Sequence, residues 1–328
     1  MTIELNTSKT RQTATVTDFP SFTKSQIKDL YNLPFNDLLF KAHSVHIQNF
    51  IPNTIQLSTL VNIKSGACPE DCSYCPQSIR YKTNVVSTDL MGLEDILEKA
   101  RQAKKSGAGR FCMGAAWRSP KDKDLTKLFP LLKELKKMGL ETCMTLGMLT
   151  ESQAAKLKDA GLDYYNHNLD TSEKFYPKII STRTYANRLE TIANVQKSGM
   201  KVCCGGILGL GETINDRIEL LRVLANMDPQ PESVPINTLV KVIGTPLEGQ
   251  EDIDSIELVK VIATARVIMP KTYIRLSAGR TSMSDELQAL CFFAGANSIF
   301  YGDELLTTKN PQISKDKELL DKLGIKPE

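Results

Sequence analysis

Three cysteines lie close together in the sequence and carry its clearest chemistry. Cys68, Cys72 and Cys75 have the spacing CxxxCxxC and directly follow a predicted strand. A four-iron cluster needs four ligands, so three cysteines in one loop either recruit a distant fourth ligand or leave one iron open to a small molecule. A zinc site is a weaker alternative, because the fourth ligand is missing and the chain has only 3 histidines. Unliganded thiols are the other alternative.

A second group of cysteines is spread along the chain at equivalent positions. Cys112, Cys143 and Cys203 each follow, by four or five residues, a glycine that ends a predicted helix. Side chains of the same parity on neighbouring strands of a closed barrel converge in its interior. One such cysteine is more often a small buried hydrophobe, but three together favour a second metal site. Cys204 and Cys291 are predicted to be structural.

Polar residues follow the same strands toward their ends. Asn166 and Asn168 share strand parity, and Asp170 comes where the strand should end. In a barrel of parallel strands, the active site lies at the carboxyl ends of the strands. Turn and cap chemistry is the alternative explanation for these three residues.

The elements that position these residues alternate between strands and helices, which is typical of parallel strands joined by helices. We predict helices at 92–106, 213–227, 256–268 and 283–293, and further helices ending at Gly139, Gly161 and Gly199. The predicted strands are 55–63, 110–113, 140–146, 162–168, 201–208, 233–240, 272–276 and 298–301. Eight such units predict an α/β fold, a (βα)8 TIM-type barrel with N-terminal and C-terminal extensions.

An open, doubly wound sheet is the competing fold. It is disfavoured because Gly209 and Gly211 lack the third glycine of a dinucleotide fingerprint, and no GxxxxGK phosphate loop occurs. No low-complexity linker divides the chain. We therefore predict a disordered tail at 1–20, a helical extension at 21–54, the barrel at 55–302 and a C-terminal tail at 303–328.

Composition limits the classes of protein further. The chain has 328 residues, 41% of them hydrophobic and 24% charged, which excludes a disordered or fibrous protein. Its 41 Lys and Arg nearly balance 38 Asp and Glu, and basic stretches such as 133–137 have helical spacing, so we expect no nucleic-acid partner. No apolar run reaches about 18 residues and no secretory pattern opens the chain, so we expect a cytoplasmic protein without a membrane partner. Disulfides are rare in the reducing cytoplasm, so the 8 cysteines are more consistent with metal binding or redox chemistry.

The cysteine loop, with Tyr74 just before its last cysteine, resembles that of the radical S-adenosylmethionine (SAM) enzymes. Longer segments resemble one family among them, the biotin synthases. These segments are GACPEDCSYCPQS at 66–78, RFCMGAAWR at 110–118, LETCMTLG at 140–147, YYNHNLDTS at 164–172, KVCCGGILGLGE at 201–212, RLSAGR at 275–280 and CFFAGANSIFYG at 291–302. The resemblance implies a sulfurtransferase that inserts sulfur into dethiobiotin, with 5′-deoxyadenosyl radicals abstracting hydrogen.

The resemblance also implies the cofactors and their residues. A 4Fe-4S cluster would be bound by Cys68, Cys72 and Cys75. A sulfur-donating 2Fe-2S cluster would be bound by Cys112, Cys143, Cys203 and Arg275; without the resemblance, Arg275 is an ion-pairing or carboxylate-binding residue. SAM would contact Asn168 and Asp170 through its ribose, Arg188 through its carboxylate, and the backbone near Tyr74 and Ile207 through its adenine. Asn166 and Asn237 are the substrate-binding candidates, Asn237 for the ureido ring.

Partners follow from the same resemblance: a flavodoxin-like or ferredoxin-like electron donor, iron-sulfur assembly proteins and a second copy of the chain as a homodimer. Two rival functions stay open, another radical SAM barrel enzyme such as a hydrogenase maturase, and an iron-sulfur electron carrier that binds no SAM. Cys204 departs from the family pattern, where a smaller hydroxyl or amide residue is common, and places a spare thiol beside Cys203.

Overall fold

The computed structural model describes residues 21–328, so the tail predicted at 1–20 lies outside the described residues. The strands are β1 (Thr54–Lys64), β2 (Arg110–Ala115), β3 (Glu141–Thr145), β4 (Tyr164–Asn166), β5 (Lys201–Cys203), β6 (Gly206–Leu208), β7 (Ser233–Thr238), β8 (Tyr273–Leu276), β9 (Ser298–Phe300) and β10 (Lys326–Pro327). The helices are α1 (Lys24–Tyr31), α2 (Phe35–Asn49), α3 (Leu93–Lys105), α4 (Asp122–Lys137), α5 (Glu151–Asp159), α6 (Tyr185–Lys197), α7 (Ile214–Ala225), α8 (Ser255–Ile268), α9 (Asp285–Phe293) and α10 (Ile313–Leu323).

The strands form a closed parallel barrel. Neighbours run in the order β1, β2, β3, β4, β5, β7, β8, β9, and β9 pairs with β1 to close the ring. β6 continues the line of β5 along β7, so the two short strands share one place in the ring. The prediction of a (βα)8 TIM-type barrel is confirmed.

The prediction of one continuous strand at 201–208 is wrong in one respect. The structure has two short strands there, β5 and β6, with a break between them. Cys203 pairs with Ser233 and Gly206 with Ile236, so the register is kept on both sides of the break. Pro235 stands opposite the break and has no N–H to donate to a ladder. A Cβ on Gly205 would lie 1.9 Å from the Pro235 carbonyl oxygen, so only glycine fits there.

The helices cover the barrel as their apolar stripes predict. On α3, Ile96, Leu97, Ala100 and Ala103 are buried against the sheet, although Leu93, at the start of the helix, is exposed. Gly107, two residues past the end of α3, takes a left-handed φ of +99°, as expected for a glycine that ends a helix.

The extensions pack onto the barrel at both ends of the chain. α1 and α2 lie against α7 and α8, and the Tyr31 hydroxyl donates to Glu257 at 2.6 Å. In residues 303–328, α10 forms a buried ion pair through Asp316 with Arg280, and β10 pairs with β1. No helix within residues 21–328 is both long and apolar enough to cross a membrane.

Candidate active site

A cavity of about 310 Å³ lies inside the barrel and extends to the carboxyl ends of the strands, where Ala115, Thr145 and Asn166 line it. Every residue singled out from the sequence for ligation or binding also lines this cavity. They are Cys68, Cys72, Tyr74, Cys75, Cys112, Cys143, Asn166, Asn168, Asp170, Arg188, Cys203, Ile207, Asn237 and Arg275. The fold therefore brings residues from distant segments to one place.

The cysteine loop after β1 is held by its own two acidic residues. Asp71 accepts backbone hydrogen bonds from Ser181 at 2.9 Å and Thr182 at 3.1 Å. Glu70, which is 2% exposed, accepts a hydrogen bond from Arg118 at 2.7 Å and another from the Thr182 hydroxyl. The acidic pair inside the CPEDC segment thus ties the cysteine loop to the loop that precedes α6.

The loop thiols are neutral when no metal is bound. Burial is the main cause that raises the pKa of Cys68, Cys72 and Cys75, and it raises that of Cys75 to about 12. A thiol must lose its proton to bind a metal. Metal uptake by this loop must therefore release protons.

The three strand cysteines form one buried cluster with Tyr164. Cys112 on β2 is directly opposite Cys143 on β3, and Cys203 ends β5. Hydrogen bonding by Cys143 to both other sulfurs raises the pKa of Cys143 and lowers those of Cys112 and Cys203, the latter to about 6. Hydrogen bonding within the cluster therefore favours the proton on the central sulfur over the two outer sulfurs.

Positive charge is the second cause of the lowered pKa values of Cys112 and Cys203. It comes chiefly from Arg275, with a smaller contribution from Arg110. Arg275 is 1% exposed and its guanidinium is fixed by neutral acceptors: Nε donates to Ser298 at 3.0 Å, and Nη2 donates to Ser58 at 3.0 Å and Gln56 at 3.3 Å. Arg275 makes no ion pair with a carboxylate among residues 21–328, so the thiolates are its nearest compensating charges.

Asp170 contacts two other residues of the predicted SAM site. Asp170 accepts hydrogen bonds from Arg188 at 2.5 Å and from the Tyr74 hydroxyl at 2.9 Å. Asp170 has a left-handed φ of +67°, rare for a residue with a side chain. Arg188 also donates to the Tyr176 hydroxyl at 3.0 Å. Asp170 and Arg188 therefore form a buried ion pair in the cavity wall.

The three asparagines of the cavity wall differ in which of their side-chain polar atoms have hydrogen-bond partners. Asn166 donates to Thr145 at 2.9 Å, but its buried Oδ1 has no hydrogen-bond partner. Asn168 accepts from the Gly205 amide at 3.1 Å. Asn237 donates to the Gly206 carbonyl at 2.9 Å and accepts from the Ala278 amide at 3.2 Å. Asn166 thus lines the cavity and has a buried acceptor without a hydrogen-bond partner.

Sequence reasoning missed two parts of the cavity wall. Thr307 and Thr308 belong to the segment set apart as a C-terminal tail, yet they line the cavity. Arg183 also lines it, and its Nη2 donates to the Cys72 sulfur at 3.6 Å. A signal for Arg183 was available: it precedes Thr184, which caps the N-terminus of α6, where the helix dipole disfavours a cation unless an anion is near.

Comparisons with known proteins identify the family. A model of the radical SAM superfamily matches residues 62–224, and a model of the biotin and thiamin synthesis associated domain matches residues 235–326. A biotin synthase from Cellvibrio japonicus is 61% identical over 307 residues, covering 94% of this chain and 86% of that protein. One from Thioalkalivibrio sulfidiphilus is 61% identical over 302 residues, covering 92% and 89%. The chain belongs to the biotin synthase family.

Structural comparison agrees on the fold. A methylornithine synthase matches with a TM-score of 0.78 at 22% identity, covering 93% of this chain and 94% of that one. An FeFe-hydrogenase maturase from Carboxydothermus hydrogenoformans matches with a TM-score of 0.80 at 16% identity, covering 93% and 76%. These identities show a shared barrel, whereas the 61% identity separates the biotin synthase family from the maturase alternative.

Membership of this family brings a 4Fe-4S cluster, SAM and a 2Fe-2S cluster as cofactors, and the residues present fit them. No group of three or more His, Cys, Asp or Glu side chains in residues 21–328 is arranged to hold a single metal ion. Both cysteine triplets nevertheless line the same cavity, and each has a buried cation beside it. The cation is Arg183 at the cysteine loop and Arg275 at the strand cysteines. Thiolates balanced by buried cations suit anionic iron-sulfur clusters, whose sulfur ligands and hydrogen bonds set their properties.

Proposed function

We propose that this chain converts dethiobiotin to biotin, with Cys68, Cys72 and Cys75 holding the 4Fe-4S cluster and Cys112, Cys143, Cys203 and Arg275 holding the 2Fe-2S cluster. The observation that carries this proposal is the meeting of both cysteine triplets at one cavity of about 310 Å³. When bound, the clusters and SAM supply an electron, a 5′-deoxyadenosyl radical and a sulfur atom. The closed barrel would keep water out of the site and would hold the substrate in place for that chemistry.

The charged pair of Asp170 and Arg188 supports the assignment of the SAM site. SAM carries a carboxylate, positive groups and ribose hydroxyls. Arg188 would bind the carboxylate, and Asp170 with Asn168 would accept from the ribose. Because Asp170 and Arg188 are buried and paired at 2.5 Å, a ligand bearing both kinds of group can separate them while keeping each one satisfied.

The open acceptor of Asn166 supports the substrate assignment. The ureido ring of dethiobiotin has N–H donors, and a buried unpaired acceptor costs about 1–3 kcal/mol until a donor reaches it. Asn166 Oδ1 is such an acceptor. Asn237 would add a contact from β7 on another side of the cavity.

An electron must reach the cysteine loop, which lies close to the surface. The Ile79 side chain is 69% exposed, and the Ile79 amide donates to the Cys68 carbonyl at 2.8 Å. A flavodoxin-like or ferredoxin-like protein is the proposed donor, and this exposed segment is where it would approach the loop. Rebuilding of the consumed 2Fe-2S cluster by iron-sulfur assembly proteins, a homodimeric state and a cytoplasmic location complete the proposal; the 8 free thiols fit a reducing compartment.

Anaerobic reconstitution with iron and sulfide tests the proposed function. The loaded protein is given SAM, a reductant and dethiobiotin, and biotin and 5′-deoxyadenosine are measured together. We expect both products. An iron-sulfur electron carrier would form neither, and a radical SAM enzyme acting on another substrate would form no biotin.

A further inference from the structure

Arg183 is a buried cation beside the cysteine loop that the assignments above leave without a role. Its side chain is 7% exposed, and its Nη2 donates to the Cys72 sulfur at 3.6 Å. Its Nε is buried and has no hydrogen-bond partner. Arg183 therefore directs positive charge and a hydrogen-bond donor at a sulfur of the loop.

The carboxylate nearest to Arg183 is already engaged. Glu70 lies 3.8 Å from Arg183 Nε, but it accepts hydrogen bonds from Arg118 and Thr182. Asp71 accepts hydrogen bonds from the Ser181 and Thr182 amides, next to Arg183 in the chain, and Asp170 is paired with Arg188. A buried cation is expensive unless it is paired, so the remaining compensation for Arg183 lies at the Cys72 sulfur.

We infer that Arg183 raises the reduction potential of the 4Fe-4S cluster and so sets how easily the cluster accepts its electron. The inference rests on the proposed binding of that cluster by Cys68, Cys72 and Cys75. Reduction adds one electron without making or breaking a bond, and the added negative charge is stabilised by a cation in a medium of low dielectric constant. Hydrogen bonds to the sulfurs act in the same direction as the charge. Arg183 is thus a positioning and tuning residue rather than a catalytic one.

The test is a redox titration of the reconstituted protein with dithionite, without SAM, followed through the EPR signal of the reduced 4Fe-4S cluster. We expect Arg183→Gln to lower the ratio of reduced to oxidised cluster at least tenfold at a fixed potential, equivalent to about 59 mV for a one-electron couple. Arg183→Lys keeps the charge but loses the planar guanidinium group. We therefore expect a smaller fall in the ratio of reduced to oxidised cluster, about threefold. Arg222→Gln is the matched control, because Arg222 pairs with Glu219 on α7, and it should leave the potential unchanged.

SAM affinity, measured separately, distinguishes tuning from ligand binding. An unchanged potential in Arg183→Gln, with or without weakened SAM binding, overturns the inference. If that variant takes up no cluster, Arg183→Lys decides: the expected smaller fall in the reduced fraction supports the inference, and a wild-type potential overturns it. Iron and sulfide analysis of the wild type comes first, since a wild type without a 4Fe-4S cluster refutes the proposed function instead.

Discussion

Arg275 offers the sharpest test of how the second cluster is held, because its guanidinium could act as an iron ligand or as a charge. In the structure Nε and Nη2 are occupied by Ser298, Ser58 and Gln56. Nη1 is the guanidinium nitrogen with no hydrogen bond among the described residues. We expect the charge to be the main role, so that Arg275→Lys keeps the 2Fe-2S cluster and much of the activity, whereas Arg275→Met loses cluster stability.

The magnitude follows from the thiols that Arg275 faces. The pKa of Cys203 is lowered from its ordinary value, which favours the thiolate. Hydrogen bonding by Cys143 supplies the largest share, and the charge of Arg275 follows. Two unit charges about 4 Å apart interact by about 4 kcal/mol at an effective dielectric constant near 20. We therefore expect loss of the cation to cost the bound cluster at least about 1.4 kcal/mol, a factor of ten in affinity.

Folding should not confound the Arg275→Met result. Ser298 already donates to Gln56 at 3.1 Å, so the neutral partners of Arg275 can bond to one another. Without the cation, the thiols of Cys112 and Cys203 can keep their protons, so the substitution leaves no uncompensated charge buried. We expect the metal-free Met variant to unfold at a denaturant midpoint no lower than that of the wild type.

Two absorbance measurements check this prediction. Ultraviolet absorbance of thiolates in the metal-free protein should titrate at a higher pH in Arg275→Met than in the wild type. Visible absorbance after anaerobic reconstitution should show the 2Fe-2S cluster in Arg275→Lys and little of it in Arg275→Met. A Lys variant that assembles no 2Fe-2S cluster would refute the charge argument and make ligation by arginine indispensable.

The remaining expectations concern the two cysteine sets. Cys72→Ala should abolish SAM cleavage, because two thiolates cannot hold the cluster with one iron open, whereas Cys291→Ala should not; undiminished 5′-deoxyadenosine formation would remove the radical SAM assignment. Cys143→Ser should bind SAM but form no biotin, and normal biotin formation would make the strand cysteines packing residues. Because the loop thiols have raised pKa values, their ligation releases protons. Iron uptake by the loop, assayed between about pH 7 and pH 9, should rise more steeply with pH than uptake by the strands; equal slopes would contradict this.

The sequence was sufficient for the parts of the site that depend on regular structure. Strand parity and helix-ending glycines placed Cys112, Cys143 and Cys203 in one interior, and the register of β2 on β3 brings the first two face to face. That inference worked because parallel strands in a barrel repeat the same geometry. Which residue each ligand contacts was not predictable, since the partners of Arg275 come from β1 and β9 at opposite ends of the chain.

The contacts made by irregular segments could not be predicted from the sequence. The break between β5 and β6 depends on Pro235, which stands opposite it only after β7 has paired. Arg183 lies in a loop without periodicity, and its contact with Cys72 spans 111 positions in the chain. Thr307 and Thr308 reach the cavity because the chain folds back after β9, which no local pattern announces.

Arg183 and Arg275 are both buried cations next to cysteine sulfurs. Metal binding at these sulfurs should therefore affect the stability of the folded protein. Each is buried beside sulfur atoms, and neither has a carboxylate to itself among residues 21–328. Burial raises the pKa of the Cys72 thiol beside Arg183, whereas the pKa of Cys203 beside Arg275 is lowered. Cluster binding by the loop, as proposed above, would turn the loop thiols into anions and would thereby complete the pairing of Arg183. A ligand that binds only the folded state stabilises it, so loading the loop should stabilise the protein through Arg183 as well as through the metal bonds.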